Sequence, residues 1–127
     1  MAVEYVLVER GNPADKTAPK KFYPQAKAKG EITLKEVSTI ISDRSTASRG
    51  DVSLILDGLV HTLMVELAKG NIVRMGEFGS FQITVSGQGA EVAEKFNASM
   101  IESSSITFRP GKDLKDMLAT LSFEKSK

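Results

Sequence analysis

The sequence contains no cysteine and no tryptophan, one histidine and four prolines among 127 residues. Without cysteine there is no thiol nucleophile, no redox switch, no disulfide staple and no thiolate zinc site. With His61 as the single histidine, the imidazole clusters of most catalytic metal centres are excluded, and most hydrolytic mechanisms lose their usual base. No apolar run approaches the ~18 residues of a membrane span. Glu4 and Glu9 interrupt the N-terminal stretch where a secretory signal needs continuous apolar residues, so the expected location is the cytoplasm, with no membrane partner. A large charge of either sign is missing too: 17 Lys+Arg against 16 Asp+Glu give a formal +1.

What is present is the material of one ordinary domain, 41% hydrophobic and 26% charged. A chain this long buries roughly two-thirds of its unfolded surface, enough to fold without a structural metal. Enzyme signatures fail: there is no Walker loop, no G-x-G-x-x-G and no G-x-S-x-G elbow. His61 and Asp57 read as an exposed i, i+4 helix pair, and Glu91, Glu94 and Glu102 as a solvated face. No catalytic residue, cofactor, metal site or small-molecule substrate is expected.

The charges are unevenly placed. Residues 1–30 hold six basic and three acidic groups, residues 31–127 eleven and thirteen. The first segment reads as a short strand around Tyr5–Val8, then an irregular, basic arm, because Pro13, Pro19 and Pro24 each fix φ and remove a donor. Val6 and Val8 are expected to pair along an open sheet edge while Lys20, Lys21, Lys27 and Lys29 stay solvated. Phe22 and Tyr23 allow two readings, a stacking platform for bases or an anchor holding the arm to the body.

From residue 31 onward the periodicity is first helical. Thr33 and Glu36 form a T-x-x-E capping box before Leu34, Val37, Ile40 and Ile41. Ser48, with Asp51 three residues later, caps a second helix. Its apolar stripe, Val52, Ile55, Leu56, Leu59, Val60, Leu63, Met64 and Leu67, runs to a stop at Gly70–Asn71. The period then changes to two. Strands are expected over Ile72–Met75 and Phe81–Val85, joined through GEFG, and again around Ile106–Phe108. Leu114, Met117, Leu118 and Leu121 mark a short last helix before a polar, frayed tail. The fold class is α+β, with residues 1–30 as an N-terminal extension and 31–127 as the main domain.

Two motifs in this order carry a resemblance. Phe78-Gly79-Ser80-Phe81 is similar to the G-F-G-x-F strand turn of the bacterial HU/IHF histone-like proteins, and Phe108-Arg109-Pro110-Gly111-Lys112-Asp113-Leu114-Lys115 to their F-[KR]-P-[GS]-K-x-L-K motif. The extension with PKKFYP resembles a longer HU-related subgroup. The resemblance implies a homodimer with interlocked helices, a sheet saddle, and two β-ribbon arms on double-stranded DNA, a nucleoid architectural role of low sequence specificity. It also implies phosphate contacts at Arg49, Arg109, Lys112 and Lys115, to which Arg74 on the saddle strand is added by position; Lys20, Lys21, Lys27, Lys29 and Lys95 are further basic candidates for DNA contact.

Between Phe81 and Ala98-Ser99 the chain departs from the family pattern. The arm is short and lacks the R-N-P tip, and Lys95 is its one cation against Glu91 and Glu94. Deep insertion of the arm into DNA is not expected. The alternative reading is an HU-type scaffold acting as a structural or protein-interaction module, using the acidic arm and the open edge of the first strand.

Overall fold

The longest element explains the rest. Helix α2 (Arg49–Ala68) begins at Ser48, whose side chain accepts from the Asp51 amide at 3.1 Å while the Asp51 carboxylate accepts from the Ser48 amide at 3.3 Å. The cap at Ser48 is the expected one, and the return bond from Asp51 makes it a full capping box. At its other end Gly70, at φ 88°, donates to Leu67 O and Asn71 donates to Glu66 O, a Schellman closure that only a residue free to adopt positive φ completes without strain. Helix α1 (Leu34–Asp43) starts directly after Thr33 and packs along α2. Their contact is close because small residues meet there: Ser38 is fully buried, and its hydroxyl lies 3.0 Å from that of Ser53.

The computed structural model describes residues 2–127 and has the α+β architecture the periodicities indicate. It separates into two compact units, one comprising Leu34–Asp116 and the other the chain up to Thr33 together with Met117–Lys127. The larger unit adds to the helical hairpin a sheet of order β3-β4-β5, made of Val73–Arg74, Gly79–Gly87 and Ile101–Pro110, and the first turn of helix α3 (Lys112–Leu118), through Asp116. Strands β4 and β5 pair antiparallel along their length and form a ribbon that closes at Gln88 and Met100. Beyond that closure the chain makes two 3-10 turns, Ala93–Lys95 and Ala98–Met100.

In the smaller unit, β1 (Val3–Arg10) lies between β2 (Lys21–Lys27) and β6 (Phe123–Lys125). Three expectations are corrected here. The basic arm is not irregular throughout, because Lys21–Lys27 pairs with Glu4–Arg10 in register. Pro24 is tolerated in it because β2 is an edge strand, where a missing donor breaks no inner ladder. The tail after Phe123 is not frayed: β6 pairs parallel to β1, and Ser126 donates to Tyr5 O at 2.8 Å. The second edge of β1 is covered by β6 only at Val3–Tyr5, so the edge expected to be open along the whole strand is shortened to Val6–Arg10.

The core of the chain is thin. Among the described residues, Val52 and Leu67 are the only apolar side chains below a tenth exposed. The stripe read from the sequence splits into a seam and two flanks. Val52, Leu56, Leu59, Leu63 and Leu67 form the buried or half-buried seam, while Ile55 on one side and Val60 and Met64 on the other stay exposed, Met64 at 66%. Leu54 and Val65, on the back of the helix, are exposed as well. A helix that is apolar all round is stable in water only when it is covered all round.

Candidate nucleic-acid interface

The two sequence motifs meet in space at the foot of the ribbon. A 3-10 turn at Gly76–Phe78 brings the Phe78 ring to 6.0 Å from those of Phe81 and Phe108, and the last two are 5.0 Å apart. Gly79 is required there: its φ is 132°, and a Cβ would collide with the Arg109 carbonyl and the Phe108 ring. Gly111 is equally constrained, because a Cβ would meet the Glu77 carbonyl, and its amide donates to Phe78 O at 3.2 Å. The Glu77 carboxylate accepts from the Asp113 amide at 3.2 Å and so satisfies a free donor at the start of α3.

This fixed corner sorts the ribbon into two faces. Phe81, Ile83 and Val85 on β4 alternate with Ser80, Gln82, Thr84 and Ser86, and the register places the second set opposite Arg109, Thr107, Ser105 and Ser103. The resulting polar face is hydroxyl-rich, with Thr84 2.7 Å from Ser105 and Ser86 2.6 Å from Ser103. At its foot Arg74 pairs with Ser80, which pairs with Arg109. Two arginines therefore flank a small serine across three strands, about 10 Å apart from strand spacing alone.

Arg74, Arg109 and Lys115 line one open cleft of about 410 Å³ with Gly76, Gly79, Ser80, Pro110 and Gly111. No acid lines it. Lys112, from the same motif, is set apart by an ion pair with Asp116 at 2.6 Å, although both groups are well exposed. Arg49 lines a different depression, of about 250 Å³, with Lys35, Ser38, Gly50 and Ser53. Lys95 lies in the first 3-10 turn beyond the ribbon, beside the exposed Glu91 and Glu94.

The N-terminal lysines belong to the other unit and do not act as one group. Lys27 donates to the Ser126 hydroxyl at 2.9 Å, Lys21 lines a pocket with Arg10, and Lys20 and Lys29 are exposed. Phe22 and Tyr23 are 65% and 43% exposed on opposite faces of β2. Among the described residues no group of three His, Asp or Glu side chains is arranged to hold a metal ion, and no helix is long and apolar enough to cross a membrane.

A helical hairpin packed on a three-stranded sheet, with a cationic cleft at the foot of a two-stranded ribbon, defines the HU class of DNA-binding fold. Residues 1–125 match the family described as an HU domain fused to wHTH, Ig, or glycine-rich motif. The chain belongs to that family. It is 32% identical over 87 residues to the DNA-binding protein HU of Thermotoga maritima, an alignment covering 67% of this chain and 97% of the relative. A solved structure described as a putative bacterial DNA binding protein from Bacteroides vulgatus shares the fold, with a TM-score of 0.66 at 15% identity over 98% of this chain. The chain spans 47% of that solved protein's length.

Proposed function

We propose that the chain is a non-enzymatic DNA-architectural protein that binds double-stranded DNA as a homodimer, with low sequence specificity, in the bacterial nucleoid. The observation that carries this reading is the cleft of Arg74, Arg109 and Lys115, three cations converging without an acid on the polar face of the ribbon. Such a site neutralises backbone phosphates, which are the same at every base pair, so affinity follows salt and shape before sequence. The hydroxyls of Thr84, Ser86, Ser103, Ser105 and Thr107 continue the face as uncharged donors. They suit hydrogen bonding to phosphate or sugar oxygens along a groove.

Arg49 and Lys35 supply a second, smaller cationic patch. Lys112 contributes less than its motif suggests, because Asp116 competes for it. Lys95 contributes little beside Glu91 and Glu94. Dimerisation is supported by the apolar circumference of α2, which one protomer leaves uncovered. The arm is short and acidic and has no proline wedge, so DNA bending, where it occurs, comes from wrapping over the saddle and not from unstacking a base step.

The test is a titration of labelled duplex DNA at a series of salt concentrations. With three saddle cations per protomer, two protomers displace counterions from about six phosphates, and log K falls with log salt at a slope near −5. Absence of saturable binding at low salt refutes the reading.

A further inference from the structure

The cross-strand register of the smaller unit contains an electrostatic conflict. Arg10, the last residue of β1, stands directly opposite Lys21, the first of β2. Like charges directly opposite in an antiparallel pair repel and weaken the ladder. Among the described residues neither side chain has an ion-pair partner: Glu9 lies on the other face of the sheet, where it opposes Phe22. The Asp15 carboxylate accepts from the Thr17 hydroxyl at 2.6 Å and the Thr17 amide at 3.0 Å, which holds its pKa below the usual carboxylate range and spends it on its own loop.

That loop is stiff. The Asn12 side chain accepts from the Ala14 amide at 2.9 Å, Asp15 N donates to Asn12 O, and Ala18 N donates to Asp15 O, with Pro13 and Pro19 fixing φ at either end. It frames a pocket of about 340 Å³ lined by Arg10, Lys21, Tyr23, Asn12, Pro13 and Pro19. Tyr23 lies two residues from Lys21 on the same face of β2, so a ring and two cations share one wall.

We infer that this pocket binds one nucleotide of single-stranded nucleic acid, its phosphate between Arg10 and Lys21 and its base against Tyr23. An anion between the two cations converts their repulsion into attraction. A duplex cannot present an unpaired base to a ring in a pocket, whereas a single strand can, and stacking with cationic tracking of the backbone is the general mode by which single strands are held. The site lies in a different unit from the saddle cleft and does not depend on it.

The test uses the full chain, a labelled oligothymidylate of about ten nucleotides and a labelled duplex, read by fluorescence anisotropy at low salt. The paired substitution Arg10→Gln with Lys21→Gln is expected to weaken oligothymidylate binding at least about tenfold, and Tyr23→Leu roughly fivefold or more, with Tyr23→Phe close to the parent. Tyr23→Leu leaves duplex affinity unchanged. Thermal melting accompanies each variant, and the paired substitution, which removes a repulsion, does not lower the midpoint. The inference is overturned if the parent ignores the oligonucleotide or if Tyr23→Leu binds it as the parent does. Displacement of the oligonucleotide by inorganic phosphate as effectively as by thymidine monophosphate also overturns it, since that marks a phosphate site alone. Loss of duplex binding by the parent with oligothymidylate binding intact refutes the saddle reading and spares this one.

Discussion

Arg109→Gln is the sharpest perturbation of the saddle. Arg109 is exposed, has no ion pair among the described residues, and sits beside Ser80 on the polar face, so its loss leaves no buried charge and disturbs no packing. Stability is expected to change by no more than about 0.5 kcal/mol. In a dimer the substitution removes two phosphate contacts, and at about 0.9 per contact the slope of log K against log salt becomes shallower by about 2. The deficit is therefore itself salt-dependent: between about 200 mM and 50 mM salt the ratio of parent to variant affinity grows about tenfold. Adding Arg74→Gln and Lys115→Gln removes about 5 from the slope, nearly all of it. Anisotropy titrations on one duplex at four or five salt concentrations measure this directly. A parallel downward shift, with affinity lost equally at every salt and the slope unchanged, would falsify the claim that Arg109 acts by neutralising phosphate.

Three further outcomes follow from particular contacts. Met64→Glu places a charge on an exposed apolar flank of α2; if that flank is covered in the dimer, two lost side chains cost at least about 3 kcal/mol, roughly a hundredfold in dissociation constant, and sedimentation shows monomer at micromolar concentration. Ser48→Ala removes the acceptor of the Asp51 amide and lowers stability by about 1 kcal/mol in chemical denaturation, with the DNA salt slope unchanged. Asp15 has a folded pKa depressed by Thr17, so its contribution is complete above its unfolded value and is lost as pH falls through the folded one. Hydrogen exchange at Thr17 and Ala18 is expected to accelerate on that acidic side relative to the β1–β2 ladder, and an unchanged ratio argues against the carboxylate as the organiser of the loop.

Local chemistry made the larger unit readable. Ser48, Asp51, Gly70 and Asn71 mark both ends of α2 through backbone donors and acceptors they satisfy within a few residues, and the structure uses each of them. The glycine motifs were legible for a similar reason, since Gly79 and Gly111 answer a steric demand that no other residue meets. What escaped the sequence depends on partners far along the chain. Strand β2 contains Pro24, a strong local signal against a strand, and forms because the β1 edge is available to it. Three-residue β6 has too little pattern to recognise at all.

The candidate site divides the same way. The motif named Lys112 and Lys115 together, and geometry separates them: one faces Asp116, the other the cleft. The i, i+4 spacing of Lys112 and Asp116 was the available signal. Arg74 and Arg109 become neighbours of Ser80 only once register is known, and Arg10 opposite Lys21 carries no sequence signal of its own. Leu54 and Val65 lay outside the apolar stripe, yet they are what turns α2 from an amphipathic helix into one that needs cover on every side.

The central position of β1 sets an order of events during synthesis. Its residues Val3–Tyr5 pair with Phe123–Lys125, near opposite ends of the chain, whereas the helical hairpin and the ribbon of the larger unit close over short separations. Contacts between near neighbours form before distant ones. A growing chain can thus complete the cationic saddle while β1 and β2 still wait, as a hairpin with one unfilled edge, for β6 to leave the ribosome. Until β6 pairs, that edge is exposed to other chains.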